Sequence, residues 1–173
     1  MIVDKPPEKQ LFKPIIKQTK TNLDWGGHVD YIFEDITENN PDFIKEKFDM
    51  IFMGQTIEHI SRNDVKNKLF PLIKNCLKED GFFIFDTPNR EITEIQVPNS
   101  FIDDDHKHEY NPDELEQILE KNGFEVIEKW GLIPMPDTFN SKRWNPDEPE
   151  RNAKIVNYSK GCYIFAFKCK IKK

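Results

Sequence analysis

The residues with the clearest chemical potential lie in the segment Asp103–His108, which holds three consecutive aspartates and two histidines. Carboxylates and imidazoles at such short spacing could bind a divalent metal ion or act as a general base. In an extended segment, alternation places His106 and His108 on the same side. A metal site would need a further ligand from elsewhere in the chain, and the sequence identifies none. We therefore predict no metal, and both a general base and a solvated loop before a helix stay open.

The elements that position these residues are indicated by short apolar runs that alternate with amphipathic stretches along the chain. This pattern is typical of βα units around a largely parallel sheet. Several runs are almost continuously apolar, as expected for strands that are covered on both faces. The predicted strands are Thr21–Asp24, Val29–Phe33, Phe48–Met53, Gly81–Asp86, Phe124–Lys129 and Cys162–Lys168.

The residues that follow each strand are candidate binding residues, because ligands of open parallel sheets bind at the carboxyl ends of the strands. They are Asp24, Asp35, Met53–Gln55, Asp86–Asn89 and the segment after Gly131. An acidic residue that ends the second strand of such a sheet is placed to accept hydrogen bonds from a ribose diol. Asp24 is the candidate for that role.

Helical signals are clearest at Asn111–Asn122, where Asn111 can cap the helix and Pro112 occupies the first helical position. Apolar residues also recur at helical spacing in Asn63–Leu77. Pro71 removes a backbone donor inside that second segment, which predicts a kink or a split there.

The remaining connections carry weaker signals. A short helix is predicted from Asn40 to about Lys47, just before the strand that starts at Phe48. Residues 89–110 are interpreted as a loop that would help to form the walls of a pocket. Residues 133–160 are rich in proline, asparagine and charge without periodicity, so we predict a long excursion between the last two strands.

Three segments carry a recognisable order of motifs. Phe48–Ile60 has an F-D-x-I strand, a short loop and E-H-I, and Leu77–Phe85 begins L-K-E-D-G. Asp105–Leu115 reads D-H-x-H-x-Y-N-P-x-E-L, and N-G-F-E-V follows at Asn122–Val126. In this order the segments resemble the class I S-adenosylmethionine-dependent methyltransferases, and among them the broad small-molecule group called type 11.

The resemblance implies a fold. It is a Rossmann-like α/β three-layer sandwich with a mostly parallel sheet and an antiparallel last strand, here Cys162–Lys168. We expect a single methyltransferase-like domain over residues 1–173, because a chain of this length has room for one ordinary domain of about 100–200 residues.

The resemblance also implies an activity: methyl transfer from S-adenosylmethionine to a small-molecule or sugar-linked acceptor. In the family the loop that contains Asp103–His108 closes over the substrate, so His106 or His108 would act as the base on the substrate side. His59 would be a packing and capping residue. The implied cofactor residues are Asp4 at the end of the first strand, Asp24 on the ribose, Asp35 and Ile36 at the adenine, and Met53, Gly54 and Gln55 along the methionine part.

The chain departs from the family where a glycine-rich loop follows the first strand. Lys5–Gln10 contains two prolines and no glycine, although the family's glycines allow close approach of the cofactor. Met1 is followed almost at once by this strand, so the family's covering helix is not expected. A degenerate paralogue, a fragment of a longer protein and an enzyme completed by a partner are three alternatives. A non-catalytic module that works through a protein partner is the alternative function.

Composition limits the other classes of partner. A net charge of −6 disfavours nucleic acid and anionic membranes. The apolar runs are much shorter than the roughly 20 residues of a membrane span, and no apolar signal-peptide core begins the chain. Three cysteines without metal-ligand spacing indicate a reducing compartment. We therefore expect a cytoplasmic protein that binds a small-molecule acceptor, with a protein partner or a second copy left open.

Overall fold

A computed structural model describes residues 2–4, 31–33, 36 and 47–173. The chain divides into two compact units, residues 1–43 and 44–173. In the first unit, strands β1 (Ile2–Asp4) and β2 (Tyr31–Phe33) pair in parallel. The predicted strand Thr21–Asp24 and the helix predicted from Asn40 lie outside the described residues.

The second unit is built on a five-stranded sheet in the order β3-β4-β7-β5-β6. Strands β3 and β4 are parallel, and β7 is antiparallel to both of its neighbours, β4 and β5. Strands β3, β4 and β5 therefore run in one direction, which confirms the predicted sheet with an antiparallel last strand. The strands are β3 (Phe48–Gly54), β4 (Leu77–Pro88), β5 (Phe124–Pro134), β6 (Ile155–Val156) and β7 (Cys162–Ile171).

Helices and helical turns connect these strands. A 3₁₀ turn (Ile57–His59) follows β3, and a π-helical segment (Val65–Leu69) joins α1 to α2. The α-helices are α1 (Arg62–Asp64), α2 (Phe70–Cys76), α3 (Arg90–Gln96), α4 (Pro112–Lys121), α5 (Pro136–Ser141) and α6 (Glu148–Arg151).

One of the two helix predictions is confirmed with its physical cause. Asn111 caps α4, since its side chain accepts a hydrogen bond from the backbone N–H of Glu114 at 2.8 Å. The predicted split at Pro71 is absent: helical residues run without interruption from Arg62 to Cys76, and only the helix type changes, from π to α at Phe70. Pro71 lies in the first turn of α2, where its missing N–H is tolerated, and the wider π-helical segment precedes it.

The two segments that we interpreted as irregular contain regular structure. Residues 133–160 include α5, α6 and β6, and the α5 N-terminus is capped by Glu148, whose carboxylate accepts the backbone N–H groups of Asp137 and Thr138 at 2.7 Å. Residues 89–110 begin with α3, because Asn89 caps that helix through the N–H of Glu91. Both predictions of irregular structure were wrong because these segments contain short helices, two of which are stabilised by side-chain caps.

Buried aromatic side chains fill the space between the sheet and its helices. The Phe83 and Phe85 rings of β4 stack at 4.9 Å, and Phe124 of β5 packs against Phe70 of α2 at 5.4 Å. All four side chains are fully buried. This core holds the carboxyl ends of β3 and β4 in a fixed relation to each other, and the site lies at those ends.

Candidate functional site

A short loop at the carboxyl end of β3 is held in place by the end of β4. The backbone N–H and the side-chain amide of Gln55 both donate to Asp86 Oδ1, at 2.9 and 2.7 Å. The Thr56 hydroxyl donates to the Gly54 carbonyl at 2.8 Å. Gln55 has a φ of 44°, which a non-glycine residue adopts only where its surroundings hold it. Asp86 supplies that constraint.

The same loop offers bare backbone to a ligand. Gly54 and Gln55 are exposed, and Met53 is half-buried. Gly54 has no side chain to keep a ligand away from the main chain. The loop therefore combines a fixed conformation with an accessible surface, which are the properties that a binding loop needs.

Behind this loop, the 3₁₀ turn meets the segment that precedes α4. The Glu58 carbonyl accepts the backbone N–H groups of Lys107 and His108, at 2.7 and 3.1 Å. The rings of His59 and His106 meet edge to face, 4.7 Å apart. The Thr87 hydroxyl donates to Glu58 Oε2 at 2.9 Å. These contacts bring Glu58, His59 and His106 together at the carboxyl ends of β3 and β4.

Burial dominates the electrostatics of Glu58. The residue is 1% exposed, and burial raises the pKa of its carboxyl group, while hydrogen bonds from its own backbone and from Thr87 oppose the shift in part. Among the described residues, no hydrogen-bond partner is present for Glu58 Oε1. The Glu58 side chain is therefore buried with one of its two oxygens lacking a hydrogen bond from the described residues.

Glu109 organises the segment around His106. Its carboxylate accepts the backbone N–H of Ile102 at 2.9 Å, the hydroxyl of Thr93, and His106 Nδ1 at 2.7 Å. Burial alone would raise the pKa of Glu109, but these hydrogen bonds outweigh it and lower the pKa. Because an ionised Glu109 only accepts hydrogen bonds, Nδ1 is the ring nitrogen of His106 that donates to it.

His108 has different partners from His106. Its Nε2 lies 3.3 Å from Glu114 Oε1, and its ring packs edge to face on Tyr110 at 4.4 Å. Its side chain is 27% exposed, whereas that of His106 is 6% exposed. The structure therefore gives the two candidate bases separate environments: His106 is held inside the cluster and His108 faces α4.

The other candidate residues belong to the first unit. Asp4 ends β1, and Ile36 is a half-buried turn residue. Asp24 and Asp35 lie outside the described residues. The cofactor roles given to these four residues stay predictions.

Sequence reasoning gave no role to Glu58 and Glu109, which organise the described site, and it named Thr87 only as one of several candidate binding residues after a strand. Glu58 and Glu109 stand inside the recognised motifs, and Thr87 follows a predicted strand. These positions in the motifs and after the strand were the signal from which a role in the site could have been predicted. Their roles depend on contacts between residues far apart in the chain, and spacing alone does not reveal such contacts.

The second unit is an α/β structure whose loops gather at the carboxyl ends of parallel strands, as in the nucleotide-binding class of such sheets. A sequence profile of the family described as methyltransferase domain matches residues 7–129. The chain belongs to this methyltransferase-domain family, as the motifs of β3, β4 and α4 indicated. A comparison with curated protein sequences gives no match.

Solved structures of similar fold include S-adenosylmethionine-dependent methyltransferases. The Thermotoga maritima protein is 16% identical with a TM-score of 0.59, over 97% of this chain and 72% of that one. The Archaeoglobus fulgidus protein is 17% identical with a TM-score of 0.56, over 91% and 72%. The Clostridium acetobutylicum protein is also 17% identical with a TM-score of 0.56, over 83% of this chain. The chain spans 65% of that last protein's length. At identities of 16–17%, these similarities establish the fold alone.

Within the part of the chain that the structure describes, no helix has the length and apolar character to cross a bilayer.

Proposed function

We propose that the chain is an S-adenosylmethionine-dependent methyltransferase. The observation that carries this proposal is the loop Met53–Gln55, fixed by Asp86 and exposed at the carboxyl end of β3, in a chain of the methyltransferase-domain family. The cofactor supplies an electrophilic methyl group on a sulfonium sulfur. The protein's contribution is to hold the acceptor in line with that methyl group and to take up its proton.

The residues of the β3 loop fit the methionine part of such a cofactor. Gly54 leaves the main chain open, and the bonds from Gln55 to Asp86 keep the loop from collapsing. In this proposal Asp24 accepts hydrogen bonds from the ribose hydroxyls, and Asp35 with Ile36 contacts the adenine. Asp4, which ends β1, is a further proposed cofactor residue.

On the acceptor side, the proposal gives proton uptake to His108 or His106. His108 is partly exposed and lies beside Glu114. His106 has a fixed ring orientation, because Glu109 holds its Nδ1. Either arrangement suits an oxygen or nitrogen acceptor, whose proton must leave as the methyl group arrives. We propose a small-molecule or sugar-linked acceptor and a cytoplasmic location.

The second candidate function is the non-catalytic module, and the sequence of Lys5–Gln10 favours it. Two prolines withhold two backbone donors where the family has glycines. Such a module would work through a protein partner and would not bind the cofactor. Cofactor affinity therefore separates the two functions.

The test is isothermal titration of the full chain with S-adenosylhomocysteine, followed by the same titration of Asp24→Ala. We expect wild-type binding, and a loss of about ten- to hundredfold in affinity for Asp24→Ala, since hydrogen bonds to a charged group contribute about 1.5–3 kcal/mol. Asp30→Ala, another aspartate of the same segment, is the control and should bind like the wild type. Absence of binding heat at high ligand concentration would support the non-catalytic module instead.

A further inference from the structure

Three side chains from two separate segments bring potential metal ligands to one place. Glu58 and His59 come from the 3₁₀ turn after β3, and His106 comes from the segment before α4. One ligand atom from each lies within 4.8 Å of the other two. We propose that Glu58, His59 and His106 bind a divalent transition-metal ion, with Zn²⁺ as the ion that best suits them.

The unpartnered oxygen of Glu58 is the independent observation that points to a cation. Thr87 satisfies Oε2, but among the described residues Oε1 has no hydrogen-bond partner although the side chain is buried. A buried carboxylate oxygen without a partner is costly, and such atoms usually face a water, an ion or a proton donor. A metal ion between Glu58 and the two imidazoles would compensate this oxygen.

The surroundings of His106 have the organisation of a metal site. Metal-binding histidines usually donate their second ring N–H to a carboxylate or a carbonyl, which fixes the ring and raises its basicity. Glu109 accepts from His106 Nδ1 at 2.7 Å, and among the described residues no hydrogen bond occupies Nε2, the nitrogen that would coordinate. The N–H groups of Lys107 and His108 bind the Glu58 carbonyl and hold the two ligand segments together. These contacts hold the His106 ring and the two ligand segments in place without a metal ion.

The ligand set selects the class of ion. Two imidazole nitrogens and one carboxylate oxygen suit zinc and its first-row neighbours, whereas calcium and magnesium prefer oxygen ligands throughout. Zinc ligands lie about 2.0–2.2 Å from the metal, so modest side-chain rotations would close the present spacing. Three protein ligands leave at least one coordination position open, and His59, which is partly exposed, provides the accessible side.

The structure thus supplies the ligands that sequence analysis could not find. The segment Asp103–His108 contributes only His106, and the other two ligands lie on the 3₁₀ turn. This proposal replaces the prediction of no metal, and because it uses both ring nitrogens of His106, it assigns proton uptake to His108. It does not depend on the cofactor, because all three ligands belong to the second unit and the metal can be measured alone.

The test is titration of the metal-free full chain with zinc chloride alone, in the absence of cofactor, by calorimetry. We expect one zinc ion per chain. Glu58→Gln and His106→Asn should each weaken zinc binding by at least about a hundredfold, since even outer-shell changes cost about 10–100-fold. Glu109→Gln, which changes a residue that contacts a ligand but not the metal ion, should weaken zinc binding by about 10–100-fold. His108→Asn is the matched control, because it removes a neighbouring imidazole outside the cluster, and it should bind zinc like the wild type.

A second measurement protects the test against variants that misfold. Cobalt(II) added to the wild-type chain should give the visible absorption of a low-coordinate site with nitrogen and oxygen ligands, and zinc should displace it. The proposal is overturned if the wild type binds neither ion. It is equally overturned if folded Glu58→Gln and His106→Asn variants bind zinc normally, or if His108→Asn is the variant that loses it.

Discussion

Replacement of Glu109 by alanine is expected to lower the free energy of unfolding by about 3–5 kcal/mol, the cost of removing one partner from a buried ionic network. The Glu109 side chain is fully buried and accepts hydrogen bonds from Thr93, His106 and the Ile102 backbone. The Arg90 guanidinium lies 3.4 Å from the same carboxylate. When the Glu109 carboxylate is removed, these buried donors and the partly buried Arg90 guanidinium lose their common acceptor.

Glu114→Ala is the matched control for this prediction. Glu114 also pairs with a cation, Arg62 at 2.7 Å, but its side chain is 24% exposed. Exposed ion pairs contribute at most about 1 kcal/mol, so this variant should remain close to the wild type. Urea denaturation of the three proteins measures the difference. Equal stability losses for the two glutamate variants would show that Glu109 is not the organising residue of the segment.

The second large effect is expected at Gly131 in β5. A Cβ atom on Gly131 would overlap the Tyr158 carbonyl oxygen and Cys162 Sγ and would lie 2.8 Å from Cys162 Cβ. Gly131 pairs with β7 on one side and with β6 on the other, so neither neighbour can move away freely. Overpacking of this kind lowers the free energy of unfolding by about 1–3 kcal/mol and sometimes more. Because both neighbouring strands are fixed, we expect Gly131→Ala to lower it by about 3 kcal/mol.

Gly123→Ala separates this clash from the ordinary cost of replacing a glycine. Gly123 has a φ of +81°, and the nearest atom to an added Cβ is the flexible Lys74 Nζ at 3.5 Å. Its substitution should cost about 1–2 kcal/mol through backbone strain alone. Urea midpoints of both variants give the comparison. A Gly131→Ala protein as stable as Gly123→Ala would mean that the β5–β6–β7 packing is looser than described.

Elements with local signals were predictable from the sequence. Strand β3 is an apolar run that ends at a glycine, and α4 has a capping asparagine followed by proline. Both signals depend only on residues close together in the chain, so the local structure that they predict does not depend on distant contacts. The alternation of apolar runs with amphipathic stretches predicted a largely parallel sheet, and the family resemblance implied the antiparallel last strand.

The parts that were not predictable depend on residues distant in the chain. The cap on α5 comes from Glu148, which follows that helix, and spacing within α5 does not reveal it. His106 and His108 are two residues apart in the sequence, and their spacing predicts that they lie on the same side of an extended segment. In the structure His106 contacts Glu109, whereas His108 contacts Glu114. The side-chain cluster of Glu58, His59 and His106 exists only because the sheet brings two loops to the same end.

Hydrogen exchange of the full chain with and without S-adenosylhomocysteine tests the central claim most directly, because it reports both binding and its location. We expect slower exchange at the backbone amides of Gly54, Gln55 and Thr56 when the ligand is present. The segment around Glu116 on α4, which lies away from the loop in sequence, serves as the internal reference. Unchanged exchange at Gly54–Thr56 under saturating ligand would contradict the assignment of this loop to the cofactor.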